Sequence, residues 1–229
     1  MLQNWWVKTM EEKEVKFNEE TKELTFKIYN DPHGDPLYDL PEESITFKPG
    51  LTCLVGCNGY GKTTLLNRIR EIHHNDDDIF ELVEINDRYF GGNTLMQKTM
   101  LAGDIMTSAT MFQSSEGEKI IIYLGDALST LKQKIIDNKK KAFVITIDSI
   151  DSGLSIDKIE LVKDILINYV AKEAPNVYIL LAVISYEFAK DTRCVDCYNG
   201  KEVKFRLGYD SYAKFIKQTV KIRDQRHSD

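Results

Sequence analysis

The chain has 229 residues, 42% of them hydrophobic, and a net charge of −6, which predicts one large domain with a substantial core. The negative charge argues against a mainly electrostatic nucleic-acid binder, although a local basic patch is left open. No run approaches about 18 apolar residues, so no membrane span is predicted. The start lacks a signal peptide's charged and apolar regions, so a cytoplasmic protein with four free cysteines is expected.

The first 50 residues are predicted to be rich in β-strands. Residues 15–17 and 24–29 alternate apolar with polar side chains on either side of a polar turn, and 45–47 form another short apolar run. An antiparallel sheet is therefore expected before residue 51.

A phosphate-binding pattern follows this region. Residues 51–55 predict a buried strand, and apolar side chains at 65, 66, 69 and 72 have helical spacing. Between them the pattern G-x-x-x-x-G-K-[ST] is matched without a gap. The matching residues are Gly56, Cys57, Asn58, Gly59, Tyr60, Gly61, Lys62, Thr63 and Thr64.

This motif has the residue types that a triphosphate requires. Glycines let the backbone amides of the loop at 56–61, here called the phosphate loop, converge on one anion, since they adopt positive φ and carry no Cβ. The helix behind the loop adds its positive end. Lys62 is predicted to reach the β- and γ-phosphates of ATP, and the Thr63 hydroxyl to bind Mg²⁺. An ordinary glycine turn is the disfavoured alternative.

A second helix start is predicted after an apolar run at 80–85. Ser115, Gly117 and Glu118 precede a helix with apolar residues at 120, 124, 127, 128, 131 and 135. Small side chains and free amides at such a start can hold an anion. Taken alone, this stretch is better interpreted as a helix cap.

Asp148 ends the next predicted buried strand, at 143–148. A carboxylate at the C-terminal end of a parallel strand can hold Mg²⁺ opposite Thr63, although an Asp that caps the next turn is the alternative. A helix with apolar residues at 159, 162, 165, 166 and 169 and a strand at 177–184 follow. This alternation predicts a parallel α/β sheet.

The C-terminal part changes character. Strands at 195–198 and 201–205 are predicted around Asn199 and Gly200, a strong hairpin turn. A basic helix at 211–221 is expected to dock onto the body. Cys194 and Cys197 form a single C-x-x-C, for which free thiols are favoured over zinc. The predicted organisation is one domain with a β-rich part (1–50), a core (51–190) and a C-terminal hairpin and helix (191–229).

The order of these motifs resembles the ABC-type ATPase family over about residues 37–188. Residues 56–64 are similar to its Walker A motif, 114–118 to its signature motif, 143–148 to Walker B and 152–155 to the D-loop. The resemblance implies an α/β P-loop fold with a mixed sheet, N-terminal antiparallel strands and flanking helices. It implies ATP and Mg²⁺ as ligands. Gln97, with Gln113 as the alternative, is the expected Q-loop residue near the metal, and Tyr29 and Tyr38 are candidates for the adenine contact.

In that family the signature motif of a second subunit closes over the γ-phosphate. The resemblance therefore implies a head-to-tail homodimer in which Ser115 and Gly117 contact the partner's ATP. The signature-like motif ends in Glu118, and a long helix follows it. In both features the chain resembles the soluble SMC and RecF-type branch, here without a coiled-coil arm. A role in DNA repair, genome maintenance or phage–host defence, with a further protein partner and nucleic acid left open, is expected by analogy alone. A transporter's ATP-binding subunit and a scaffold that holds ATP without hydrolysing it are the alternatives.

Two departures from the family pattern concern hydrolysis. The family has Glu after the Walker B Asp to position the attacking water, whereas this chain has Ser149, whose hydroxyl is no comparable base. Asp151 is a candidate replacement. The usual switch histidine is absent as well, and Glu187 is the nearby carboxylate. ATP binding with slow hydrolysis is therefore expected.

Overall fold

A computed structural model describes residues 14–28, 43–75, 78–85, 115–137, 142–151, 154–173 and 176–226. Three short strands form an antiparallel sheet in the order β1-β2-β3: β1 (Val15–Phe17), β2 (Leu24–Lys27) and β3 (Ser44–Phe47). Val15 lies opposite Phe26 and Leu24 opposite Phe47, so one face carries the buried apolar side chains. The antiparallel sheet predicted before residue 51 is confirmed.

Within the described residues, the central sheet has six strands in the order β5-β6-β7-β4-β8-β9. Its members are β4 (Gly50–Val55), β5 (Phe80–Ile85), β6 (Ala142–Asp148), β7 (Val177–Ala182), β8 (Arg193–Asp196) and β9 (Glu202–Val203). All neighbouring pairs are parallel except β8 and β9. The fold is thus mixed α/β with a mostly parallel sheet. Buried side chains on both faces explain why β6 and β7 are almost continuously apolar.

Helices cover both faces of this sheet. They are α1 (Lys62–Asn75), α2 (Glu116–Asp137), α3 (Ile156–Glu173), α4 (Tyr186–Ala189) and α5 (Tyr209–Arg226). Side chains of α2 and α3 pack with Ile145 and Ile147 of β6 on one face. On the other face, Val144 packs with α1 and with the small antiparallel sheet. The period-two alternation along β6 therefore supplies both cores.

The small sheet is attached to the central one by packing and by a hydrogen bond. The Phe26 ring lies 5.4 Å from the Phe80 ring and 6.1 Å from the Phe47 ring, as measured between centroids. The Tyr178 hydroxyl of β7 donates to the Lys22 carbonyl at 2.5 Å. The N-terminal strands are thus part of the packing that supports α1.

Several predicted boundaries near the C-terminus were wrong. Strand β7 ends at Ala182. The first strand of the hairpin, β8, ends at Asp196, and the second, β9, begins at Glu202. Asp196 ends its strand early because its carboxylate accepts the Tyr198 amide at 2.9 Å and the Asn199 side chain at 3.0 Å, which starts the turn. The C-terminal helix extends to 209–226 instead of 211–221. None of the described helices is long and apolar enough to cross a membrane.

Removing the Phe26 ring is expected to lower the free energy of unfolding by about 3–5 kcal/mol, since a buried aromatic that joins the two sheets would leave a cavity. Urea unfolding followed by circular dichroism measures this loss. Phe26→Leu is the matched control, because it keeps most of the apolar volume and should lose less than half as much as Phe26→Ala. Equal losses in the two variants would contradict this packing role.

Candidate functional site

The phosphate loop connects the C-terminal end of β4 to α1. Gly56, Gly59 and Gly61 have φ of +151°, +72° and +108°, in the region where L side chains are strained. The Leu65 amide donates to the Gly61 carbonyl at 2.9 Å, which starts the helical hydrogen bonds. The loop thus has the strand–loop–helix setting and the positive φ angles that the motif predicted.

Close packing also requires a glycine at the first position of the loop. A Cβ on Gly56 would lie 2.2 Å from Cδ1 of Tyr60, whose ring is fully buried. Because this distance is far below any normal contact, the Tyr60 ring and a side chain at position 56 cannot coexist without rearrangement. The ring therefore fixes the curvature of the loop from within.

Lys62 is folded back over the phosphate loop. Its side chain is 9% exposed, and Nζ donates to the carbonyls of Gly56 at 2.8 Å and of Cys57 at 2.9 Å. Burial lowers the pKa of Lys62, and the nearby thiols and the carboxylates of Asp151 and Asp148 act in the opposite direction. A buried cation at this point provides a charge for an incoming anion.

Asp148 lies at the same end of the central sheet as the phosphate loop, where the parallel strands have their C-terminal ends. It is in register with Ala182 of β7, which in turn is in register with Leu54 of β4. Two strand spacings, roughly 10 Å, therefore separate Asp148 from Leu54, two residues before the loop. Ser149 follows with φ of +59°, and its hydroxyl donates to Oδ1 of Asp148 at 3.3 Å. The Ser149 hydroxyl thus contacts the carboxylate of the preceding Asp148.

Asp151 holds a neighbouring loop. Its Oδ2 accepts the backbone amides of Ile184 at 2.6 Å and Ser185 at 2.8 Å, just after β7. Ser185 caps α4 by accepting the Glu187 amide at 3.2 Å. Asp151, predicted as a replacement base, is therefore engaged in positioning the loop after β7. Local sequence patterns contain no signal for this contact across 33 positions.

The predicted second helix start forms a capping box. Oε2 of Glu118 accepts the Ser115 amide at 2.8 Å and the Ser115 hydroxyl at 2.9 Å, which lowers the pKa of Glu118. Gly117 is buried in the first turn of α2. The helix cap that the sequence favoured for this stretch taken alone is thus confirmed, and a carboxylate of the chain itself occupies the helix end.

The sequence analysis missed that α5 contacts the phosphate loop. Thr219 Oγ1 accepts the Cys57 amide at 3.1 Å, and Nη1 of Arg223 donates to the Asn58 carbonyl at 3.1 Å. The polar side chains at 219, 223 and 226 share one helical face, but a solvated helix face has the same pattern, so the sequence held no signal for this contact. The sequence predicted that the C-terminal helix docks onto the body, but not that it docks against the phosphate loop.

The cysteine pair of the C-terminal hairpin has separate partners. The Sγ of Cys194 donates to the Ala189 carbonyl at 3.3 Å, and that of Cys197 to the Tyr60 carbonyl at 3.8 Å. Both are free thiols, and burial raises the pKa of Cys197 to about 12. In the part of the chain that the structure describes, no group of three His, Cys, Asp or Glu side chains could hold a metal ion.

Several predicted site residues lie outside the described residues. They are Gln97 and Gln113 for the Q-loop, Tyr29 and Tyr38 for the adenine contact, and Ser114, Ser152 and Gly153 of the signature and D-loop motifs.

Comparison with known proteins leaves the family open. No protein-family model matches the chain, and no curated protein has a significantly similar sequence. The crystal structure of Stu0660 of Streptococcus thermophilus is 11% identical with a TM-score of 0.36, over 67% of this chain and 71% of that chain. Drosophila ORC bound to GC-rich DNA and Cdc6 is 12% identical with a TM-score of 0.31, over 66% of this chain and 50% of that chain. Similarity this weak assigns neither family nor function.

Alanine at position 56 is expected to cost more stability than alanine at position 50, because only Gly56 faces a ring. Gly50 also has a positive φ, +109°, but has no atom within 4 Å of an added Cβ. Gly50→Ala should lose about 1–3 kcal/mol through backbone strain alone. Gly56→Ala should lose a further ~1–3 kcal/mol through the clash.

Chemical denaturation of both variants and wild type measures the difference. Equal destabilisation of the two variants would show that Tyr60 does not determine the need for glycine at position 56.

Proposed function

We propose that the protein is an ATP-binding ATPase that dimerises head to tail when it binds ATP and thereby acts on a further protein partner. The observation that carries the proposal is the phosphate loop, in which three positive-φ glycines and a buried Lys62 lie between a parallel strand and a helix. Service in DNA repair, genome maintenance or phage–host defence, with or without nucleic acid, rests on family resemblance alone.

The loop supports triphosphate binding through charge as well as shape. Lys62 Nζ donates hydrogen bonds to two backbone carbonyl oxygens of the loop, and these oxygens carry only partial negative charges. Phosphate oxygens are stronger acceptors for an ammonium group. We expect Lys62 to exchange the carbonyls for phosphate, and its buried charge thereby to gain a full countercharge.

The residues proposed for Mg²⁺ are oxygen donors of the type that this ion prefers. The Thr63 hydroxyl stands exposed at the start of α1, and the half-buried Asp148 carboxylate lies two strands away. Together they would hold a hydrated Mg²⁺, which would neutralise charge on the phosphates.

Slow hydrolysis is supported by the environment of the two candidate groups that follow Asp148. Ser149 is a hydroxyl already hydrogen-bonded to Asp148, and it cannot accept a proton as a carboxylate does. Oδ2 of Asp151 is engaged by two amides, and protonation of that oxygen would disrupt them. This last observation favours a second candidate function, an ATP-bound scaffold that does not turn over.

The proposed dimer requires a change at the start of α2. An incoming γ-phosphate from the partner's site would compete with the Glu118 carboxylate for the Ser115 amide and hydroxyl. Two anions at one helix end repel each other, so Glu118 must turn away or weaken the contact. The charge of Glu118 is therefore expected to oppose dimerisation.

Phosphate release distinguishes the slow ATPase from the scaffold. Wild type is expected to turn over well below the enzyme median of about 10 s⁻¹, and Lys62→Ala should neither bind nor hydrolyse ATP. Asp151→Asn should keep most of the turnover, because the amide oxygen still accepts the Ile184 and Ser185 amides. Loss of turnover with unchanged stability in Asp151→Asn would instead identify Asp151 as the base. ATP binding without any phosphate release by wild type would establish the scaffold.

Size-exclusion chromatography with mass measurement tests the dimer. Wild type should shift from monomer to dimer on addition of ATP and Mg²⁺, whereas Lys62→Ala should remain monomeric. Glu118→Gln should dimerise at a lower concentration than wild type, because it removes the competing charge but keeps an acceptor oxygen. A monomeric mass for both wild type and Glu118→Gln at saturating ATP would rule out the dimer.

A further inference from the structure

Three side chains of α5 form hydrogen bonds with three residues of the phosphate loop. Thr219 accepts from the Cys57 amide at 3.1 Å, Arg223 donates to the Asn58 carbonyl at 3.1 Å, and Arg226 donates to the Tyr60 carbonyl at 3.4 Å. The spacing of four and then three residues places all three on one face of the helix. The helix therefore runs along the outside of the loop and contacts it at each step.

Thr219 is the buried centre of this contact. Its side chain is 1% exposed, and its hydroxyl donates to the Ile216 carbonyl at 2.8 Å while it accepts the loop amide. Both functions of the hydroxyl are thus used. Cys57 is 5% exposed, so its amide would lose its partner in a largely water-free place if the hydroxyl were absent.

The two arginines fix the remainder of the loop. Cδ of Arg223 would lie 3.3 Å from a Cβ on Gly59, so the arginine stem covers that glycine. The Arg226 guanidinium lies 5.4 Å from the Tyr60 ring centroid and 5.0 Å from that of Tyr198. Arg226 therefore contacts both the ring and the backbone carbonyl of Tyr60. Because the Tyr60 ring also packs against Gly56, these contacts stabilise the loop.

The N-terminal half of α5 contacts a second loop of the same site. The Tyr212 hydroxyl donates to the Ile184 carbonyl, and the Ile184 amide donates to Asp151. Seven residues, about 10 Å of helix, separate Tyr212 from Thr219. A single helix thus connects the phosphate loop to the loop after β7 and, through it, to Asp151.

We propose that Thr219, Arg223 and Arg226 are positioning residues that keep the phosphate loop in its nucleotide-binding conformation, and that α5 links this loop to the loop after β7. The inference rests on the proposed ATP binding. If the loop samples other conformations without its contacts to α5, the apparent affinity falls in proportion to the competent fraction. Linkage requires the reverse as well, so bound ATP must stabilise the docking of α5.

Calorimetric titration of the full chain with ATP and Mg²⁺ tests the affinity. Thr219→Val keeps the shape but removes the hydroxyl, and it should weaken binding about tenfold, equivalent to about 1.4 kcal/mol. Thr219→Ser restores the hydroxyl and should bind within about twofold of wild type, as should Lys217→Ala on the exposed face of the helix. Equal affinity of Thr219→Val and wild type would overturn the proposal.

Hydrogen–deuterium exchange separates this inference from the proposed function. Without nucleotide, Thr219→Val should exchange faster than wild type in residues 56–61, and this result does not depend on ATP being the ligand. With ATP, wild type should exchange more slowly in residues 209–226 as well as in the loop. Wild type that binds no ATP would refute the proposed function alone, whereas unchanged exchange at 56–61 in Thr219→Val would refute the positioning role.

Arg223→Ala provides a second variant if Thr219→Val does not fold. The Arg223 side chain is 29% exposed, so its removal should leave the core intact. Faster exchange at residues 56–61 and about threefold weaker ATP binding are expected. Exchange and affinity that both match wild type would overturn the proposal.

Discussion

The packing of the Tyr60 ring against Gly56 is the constraint on which the phosphate loop depends. The ring occupies the space that any side chain at position 56 would need, and the loop curves around it. Tyr198, Arg226 and the buried hairpin residue Asp196 surround the same ring. The loop is therefore not a flexible glycine segment, because its shape is determined by an aromatic core that the C-terminal hairpin and α5 complete. The C-terminal packing and the shape of the phosphate loop are consequences of one arrangement.

The C-terminal edge of the central sheet brings together groups from three consecutive neighbours. Strands β6, β7 and β4 end side by side, and a loop that contains polar groups follows each of them. Asp148 ends β6 and Ser149 follows it, the loop held by Asp151 follows β7, and the phosphate loop follows β4. Parallel pairing alone places these groups at one end of the sheet, since the carboxyl ends of parallel strands meet at one edge. The helices then decide how rigidly each loop is held.

The sequence predicted those features that depend on local periodicity or on a contiguous motif. The phosphate loop, the buried strand that ends in Asp148, the helix after Ser115 and the Asn199–Gly200 turn all leave a signal within a few residues. Contacts between distant side chains and backbone leave none: the Thr219 hydroxyl and the Cys57 amide are 162 positions apart. The strand boundary at Asp196 was wrong because a side chain that accepts turn amides ended the ladder before the apolar pattern did. The order of strands was equally inaccessible, since it is determined by long-range pairing.

The position of Asp151 bears on the ATP hydrolysis that we propose for this chain. A general base must be free to accept a proton and release it in each cycle. A carboxylate that holds two backbone amides is instead most useful when it stays ionised and still, and here those amides belong to a loop that α5 also contacts through Tyr212. If Asp151 served as the base, each turnover would loosen that loop and, through α5, the phosphate loop itself. Under the proposed function, the Ser149 hydroxyl and an Asp151 carboxylate held by two backbone amides favour a chain that holds a nucleotide in a defined state over one that consumes it rapidly.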